Sequence, residues 1–147
     1  MANSEHLSKL MEGVAVWNEW RHANSDLPPD LREANLNKQE LYGVDFREAN
    51  LRGADLRGTD LRKASLHEAD LRVANLRLSY LNEANLNEAN LSGADLRGAN
   101  LERAKLRDTN LTGADLIAVN LREAHLRGVF LRHANLRDAF IYAADLR

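Results

Sequence analysis

The side chains that could carry chemistry in this 147-residue chain are five histidines and 22 Asp and Glu, with no cysteine among them. The missing thiols exclude a disulfide framework, a thiolate zinc site and a cysteine nucleophile together. His6 and His22 belong to the N-terminal segment, while His67, His125 and His133 are spread over the remainder. No two have the spacing of a metal-ligand pair, so solvated surface positions are expected for all five. The glycines stand in turn-like triplets such as Gly-Ala-Asp, not in a phosphate-cradling loop, and there is neither a nucleophile elbow nor a kinase signature. The reading is that of a non-enzyme, without cofactor, metal or small-molecule substrate.

What positions these residues is a repeat. From Leu31 an apolar residue returns at every fifth position, and of 24 such positions 22 are Leu, with Phe46 and Ile141 in the others. Two residues earlier stands Ala in 16 of the 24 units; Pro29, Gln39, Val44, Thr59, Ser79, Thr109, Val119 and Val129 are the exceptions. Asn or Asp commonly precedes the leucine and Arg commonly follows it, giving Ala-Asn/Asp-Leu-Arg-x. A period of five would spiral around an α-helix and alternate between the faces of a strand, so neither template holds. The Ala-x-Leu triplet does fit a very short strand with Ala and Leu pointing the same way. The next two residues then turn a corner, and glycine appears there at Gly43, Gly53, Gly58, Gly93, Gly98, Gly113 and Gly128. Glycine is expected at the third residue of a type II turn, where φ is positive. A chain that turns equally every five residues with Leu inward must coil into a solenoid. Its core is read as Leu51, Leu56, Leu61, Leu66, Leu71, Leu76, Leu81, Leu86, Leu91, Leu96, Leu101 and Leu106, with their neighbours in the repeat.

Over residues 29–147 the pattern resembles the pentapeptide repeat family. That resemblance implies an all-β solenoid, a right-handed four-sided β-helix with 20 residues per coil. Residues 31–147 would make nearly six coils and a rod on the order of 28 Å long. Residues 1–28 read as a helical cap. Ser4 is expected to cap a helix beginning near Glu5 and finishing near His22–Asn24, with Leu7, Leu10, Met11, Val14 and Trp17 on one face. Pro28-Pro29 then imposes an extended approach to the first coil. The segment from Leu10 to Arg21 resembles the leader of many cyanobacterial pentapeptide repeat proteins. Its tryptophans are expected to cover the first coil; the alternative is that Trp17 or Trp20 serves as a knob for a partner.

The near balance of 20 Lys and Arg against 22 Asp and Glu argues against a nucleic-acid binder and against an acidic tail. No apolar run is long enough to span a membrane, and no signal peptide is evident at the start, which together predict a cytoplasmic protein. Stacking positions 20 apart aligns Arg57, Arg77 and Arg97 in one column and Arg32, Arg52 and Arg72 in another. Glu48, Glu68, Glu88 and Asp108 form a third. Mutual neutralisation by Asp55, Asp95, Arg47 and Arg107 is the plain reading, and docking of a charged partner the functional one. The stretch around Val73, Arg77, Leu78 and Tyr80 puts apolar residues outside and has the composition of a binding hot spot for an unidentified protein. Phe130 and Phe140 stand where other units have Asn or Asp, Tyr142 stands where Arg is usual, and with the neighbouring Ile141 they suggest a weak end-to-end homodimer. The function expected is a protein-interaction or scaffold module. The family's DNA-mimicking gyrase binders are the alternative, but mimicry needs an acidic rod, and residues 31–147 carry 18 Lys and Arg against 17 Asp and Glu.

Overall fold

The computed structural model describes residues 1–147. Parallel bridges join each residue before a core position to its counterpart 20 positions on, from Asp30↔Asn50 to His125↔Asp145. Four such positions recur per coil, so the rod has four sides. Leu31, Leu36, Leu41 and Phe46 begin the first, second, third and fourth sides, and every later coil repeats that order.

The repeat's consensus follows from where five backbone amides find acceptors. In the unit built on Leu56, the Leu56 amide donates forward to Asn75 O at 2.7 Å and the Gly58 amide to Arg77 O at 2.9 Å. Asp55 N donates backward to Ala34 O at 2.9 Å, and Thr59 N closes the turn on Leu56 O at 3.2 Å. The fifth amide, that of Arg57, has no backbone partner and donates to Asp55 Oδ1 at 3.2 Å. The same side-chain contact holds Arg52 N on Asn50, Glu102 N on Asn100 and Ile117 N on Asp115. Asn or Asp before the leucine is therefore the acceptor for an otherwise orphaned amide.

Inside, the leucines from Leu31 to Leu126 and Phe46 are buried to 4% exposure or less, and the alanines pack between them. Hydroxyls that replace Ala are satisfied by core carbonyls: Thr59 Oγ1 donates to Leu36 O at 2.7 Å and Ser79 Oγ to Leu76 O at 2.7 Å. At each corner the second residue after the leucine has positive φ. Only seven of those 23 corners in the coils are glycine; the other 16 include Val73 at 51° and Leu78 at 56°. A β-branched residue such as Val73 adopts this region only at a cost.

The N-terminus folds as α1 (Ser4–Met11) and α2 (Val14–Ala23), not as one helix. Asn3, not Ser4, is the cap, its Oδ1 accepting from Glu5 N at 2.9 Å and His6 N at 3.2 Å. Gly13, at φ 114°, interrupts the helical run. As a result Leu10 and Trp17 are buried, Leu7 and Val14 are half-buried, and Met11 is left 49% exposed, off the face expected for it. Trp17 is inaccessible, with Phe46 edge-on at 5.8 Å, and Trp20 packs against Trp17 and His6, so neither tryptophan is a free knob.

The helices supply the hydrogen bonds that an earlier coil would. Trp17 Nε1 donates to Asp45 O at 2.8 Å, and Asn18 both donates to Gly43 O and accepts from Asp45 N. Arg21, 1% exposed, donates to Leu27 O at 2.7 Å and to Arg47 O at 3.1 Å. On the first side Asn3 N donates to Asp30 O, and Asp30 N to His6 Nδ1, each at 2.9 Å, so His6 is buried in the cap and not the solvated histidine expected. At the other end of the rod Leu136, Ile141 and Leu146 are 37%, 52% and 59% exposed. No helix is long and apolar enough to cross a membrane.

Leu86 is fully buried and Asn87 faces outward. Leu86→Asp is expected to cost at least about 4 kcal/mol, because its carboxylate would have no partner in a Leu-Ala core. Asn87→Asp should stay within about 0.5 kcal/mol of wild type. Circular-dichroism melts check this, and equal midpoints for the two variants would refute the inward and outward assignment.

Candidate functional site

The outer chemistry is governed by the pair flanking each leucine. Where Asp precedes and Arg follows, the arginine folds back as a two-pronged clamp. Arg57 donates from Nε to Asp55 Oδ1 at 2.8 Å and from Nη2 to Asp55 Oδ2 at 2.6 Å. The same pairing joins Arg32 to Asp30, Arg47 to Asp45, Arg62 to Asp60, Arg72 to Asp70, Arg97 to Asp95 and Arg147 to Asp145. These hydrogen bonds hold the carboxyls of Asp55, Asp60, Asp70 and Asp95 below the ordinary value, against a smaller opposing effect of burial. At Asp45 burial raises the carboxyl, but the several contacts with Arg47 together outweigh it. At Asp145, Arg147 brings the carboxyl down to about 2. Where Asn precedes, only the backbone contact forms: Arg77 N donates to Asn75 Oδ1 at 3.3 Å, and the Arg77 guanidinium enters no ion pair. The column of Arg57, Arg77 and Arg97 is thus one free cation between two neutralised ones. Arg52 is likewise free, between Arg32 and Arg72.

The acidic corner column is partly compensated. Glu68 lies 3.0 Å from His67 Nε2, and Arg107 lies 3.8 Å from Glu88 and 3.5 Å from Asp108. No group of three or more His, Asp or Glu is placed to hold a metal ion.

The corner between the second and third sides differs from this ordered surface. Its residues run Lys38, Gly58, Leu78, Gly98, Ala118 and Asp138 up the rod. Leu78 is 64% exposed and leans toward the following coil; a Cβ on Gly98 would meet its Cδ2 at 2.8 Å. Below it, Gly58 floors a hollow of about 420 Å³ lined by Asn37, Lys38, Arg57, Arg77 and Leu78. Around the same corner Gly58 also borders a hollow with Glu40, Asp60, Arg62 and Tyr80, whose ring is 52% exposed. Arg77, Leu78 and Tyr80 therefore meet at one place. Val73 does not join them, because it occupies the preceding corner, where its Cγ1 overhangs Gly93. Sequence reasoning missed Lys38, although its position 20 before Gly58 was available from the repeat. It also missed Asn18 and Arg21 of the cap, for which the repeat gives no signal. Phe130, Phe140, Ile141 and Tyr142 are all exposed around the last coil, at 58%, 60%, 52% and 76%.

Comparison with known proteins gives a consistent picture. The family profile described as pentapeptide repeats matches in 8 copies, over residues 40–77, 74–113 and 114–147. Among solved structures, the pentapeptide repeat protein Rfr23 from the cyanobacterium Cyanothece 51142 is similar at 38% identity and TM-score 0.62, over 63% of this chain and 64% of that one. Trypsin-treated QnrB1, a plasmid-mediated fluoroquinolone resistance protein, aligns at 23% identity and TM-score 0.69, over 77% of this chain and 58% of its own. That likeness is one of fold. HetL, a pentapeptide repeat protein involved in heterocyst differentiation regulation from a Nostoc cyanobacterium, is 31% identical over 78% of this chain and 70% of that one, with TM-score 0.36. The aligned part spans less than two thirds of the first two structures. No curated protein matches the chain. These relatives imply a right-handed β-helix.

The clamps set an acid limit on stability. Their aspartates have folded pKa values below the ordinary 3.8, so the unfolded chain takes up protons first as pH falls. The stabilisation is present in full above the unfolded value and fades as pH drops through the folded ones. The thermal midpoint should hold down to about pH 5 and decline below about pH 4. Asp55→Asn/Asp70→Asn/Asp95→Asn keeps the amide acceptors and should cost at pH 7 only about 0–1 kcal/mol per half-exposed pair. Its decline between about pH 4 and pH 2 should be shallower than that of wild type; parallel pH profiles would show that the clamps contribute nothing.

Proposed function

The chain belongs to the pentapeptide repeat family, and on that premise we propose that it is a non-enzymatic interaction module of regulatory or scaffolding type. In this reading a rod with flat, charge-neutralised sides presents one apolar corner to a partner protein. The observation that carries it is Leu78, 64% exposed at a corner whose neighbours one coil away are both glycine. The Leu-Ala interior supports the non-enzymatic part, since it leaves no enclosed space for a substrate. Seven of the 14 arginines that follow a core position are clamped to aspartates, whereas at this corner the unpaired Arg77 stands beside an exposed leucine. DNA-mimicking gyrase binding, which the family resemblance implies for some members, is the alternative, and the fold likeness to QnrB1, a plasmid-mediated fluoroquinolone resistance protein, is compatible with it. The net charge of residues 31–147, one positive unit from 18 Lys and Arg and 17 Asp and Glu, disfavours it.

Affinity capture with three baits tests the module: wild type, Leu78→Glu/Tyr80→Ala, and Arg127→Gln on the opposite fourth side. A protein held by wild type and Arg127→Gln but released by the corner variant is the expected result. Identical captures from all three would sink the reading.

A second reading concerns self-association at the coil edge of residues 131–147. The amides of Leu131, Leu136, Ile141 and Leu146 have no backbone acceptor there, and apolar side chains ring them. Two copies related by a two-fold axis would pair these groups and cover the leucines, with Phe130 and Phe140 on opposite sides of the joint. A contact of one coil cross-section is small, so the dimer should dissociate on dilution. Sedimentation velocity should show concentration-dependent association for wild type and its loss in Phe130→Asn/Phe140→Asn. A wild type that stays monomeric at high concentration ends the proposal.

A further inference from the structure

The geometry points to the chemistry of the partner: an acidic peptide segment bearing an apolar side chain, docked in the corner notch at Gly58 with its carboxylate between Arg77 and Lys38. This rests on the interaction-module reading above and specifies what that module binds.

The notch is shaped by the absence of a side chain. Gly58 has only hydrogen where the corner above it carries Leu78 and the corner below carries Lys38. Lys38 Cγ lies 3.5 Å from the place a Gly58 Cβ would occupy, so its methylene stem forms one wall and leaves the ammonium at the rim. Leu78 forms the facing wall, and Tyr80 adds an exposed ring just around the corner. An aliphatic side chain of a partner fits this hollow of about 420 Å³ better than a polar one, because two of its walls are hydrocarbon.

Charge selects the flanking group. The lining holds Lys38, Arg57 and Arg77 and no carboxylate. Arg57 is held by Asp55 at 2.6 Å, and Asp95 is likewise held by its own Arg97. Arg77 faces Asn75 instead and makes no ion pair, nor does Lys38. Two uncommitted cations beside an apolar hollow call for a carboxylate next to an apolar residue, with Arg77 offering a two-pronged geometry. A nucleic-acid strand fits poorly, since Asp55 and Asp95, two coils or roughly 10 Å apart, and Asp60 on the adjoining side interrupt the positive surface.

Leu78 is also held in place from above. A Cβ on Gly98 would stand 2.8 Å from its Cδ2, so Gly98→Ala must displace Leu78 while leaving the chemical identity of every residue lining the notch unchanged. Ala118 occupies the same column with φ 55°, which shows that the corner accepts alanine.

The test is a titration of the full-length ¹⁵N-labelled protein with the peptide GEELEEG, followed by amide shifts. Shifts confined to residues 37–38, 57–58 and 77–80 are expected, with binding weakened about fivefold or more by Arg77→Gln. Gly98→Ala and the peptide GEEGEEG should each weaken binding similarly, and GKKLKKG should leave the spectrum unchanged. Absence of shifts at millimolar peptide, shifts elsewhere on the rod, or equal binding of GKKLKKG overturns the assignment. The two readings separate in the capture experiment. A partner lost from Leu78→Glu/Tyr80→Ala but held unchanged by Arg77→Gln leaves the module standing and removes the carboxylate; a partner indifferent to both removes both.

Discussion

The structure depends on one backbone requirement: every fifth residue must turn the chain through positive φ. That corner directs the next leucine inward, sets the four-sided cross-section and brings residues 20 apart into register. For a non-glycine residue the conformation costs on the order of 1 kcal/mol or more, and 16 corners carry that cost. It is offset locally, because each such corner short of the last coil donates its amide to the coil ahead, as Val73 N does to Ser92 O at 3.1 Å and Leu78 N to Arg97 O at 3.0 Å. The strain and the bond that offsets it belong to the same residue. A corner is therefore stabilised by the coil that follows it, and cooperativity passes from coil to coil, although His133, Asp138 and Ala143 in the last coil keep positive φ without that bond.

The same requirement sorts the surface. Since the corner takes two backbone bonds from the unit and leaves the amide after the leucine without an acceptor, the residue before the leucine must supply one from its side chain. Asn and Asp do so equally well, which lets the choice between them serve another purpose. Asp draws the following arginine into a clamp, and Asn releases it. Arg57 and Arg77 occupy equivalent positions one coil apart and differ in charge availability through a single atom of Asp55 against Asn75. A fold that looks monotonous in sequence can therefore write a specific charge pattern without altering its backbone.

Much of this was legible beforehand, because each of the five positions has one physical task and repeats it two dozen times. The solenoid, the inward leucines and the exposed Leu78 and Tyr80 all followed from register alone. The cap was less legible. Its residues act once each, so no periodicity announces that Asn3 instead of Ser4 accepts the first amides, or that Gly13 divides the helix. Leucine spacing placed Met11 on the buried face; the break at Gly13 leaves it exposed. Arg21 could not be foreseen as a buried donor, since its acceptors Leu27 O and Arg47 O are brought together only by the first coil. At the notch, Arg77 and Leu78 were evident, whereas Lys38 gained its meaning from the glycine one coil above it. Val73 was grouped with them by nearness in sequence, but a corner lies between.

The cap bonds to the edge of the first coil through backbone carbonyls of Asp30, Gly43, Asp45 and Arg47, and otherwise each coil bonds only to its neighbours. Length is thus a free variable for evolution: a gain or loss of 20 residues beyond the third coil would leave every remaining side, corner and hydrogen bond in register. Gly58 and Leu78, in the second and third coils, would keep their distance from the helices through any such change. The helical end acts as the zero mark of a ruler, against which the notch has a fixed reading while the far end drifts.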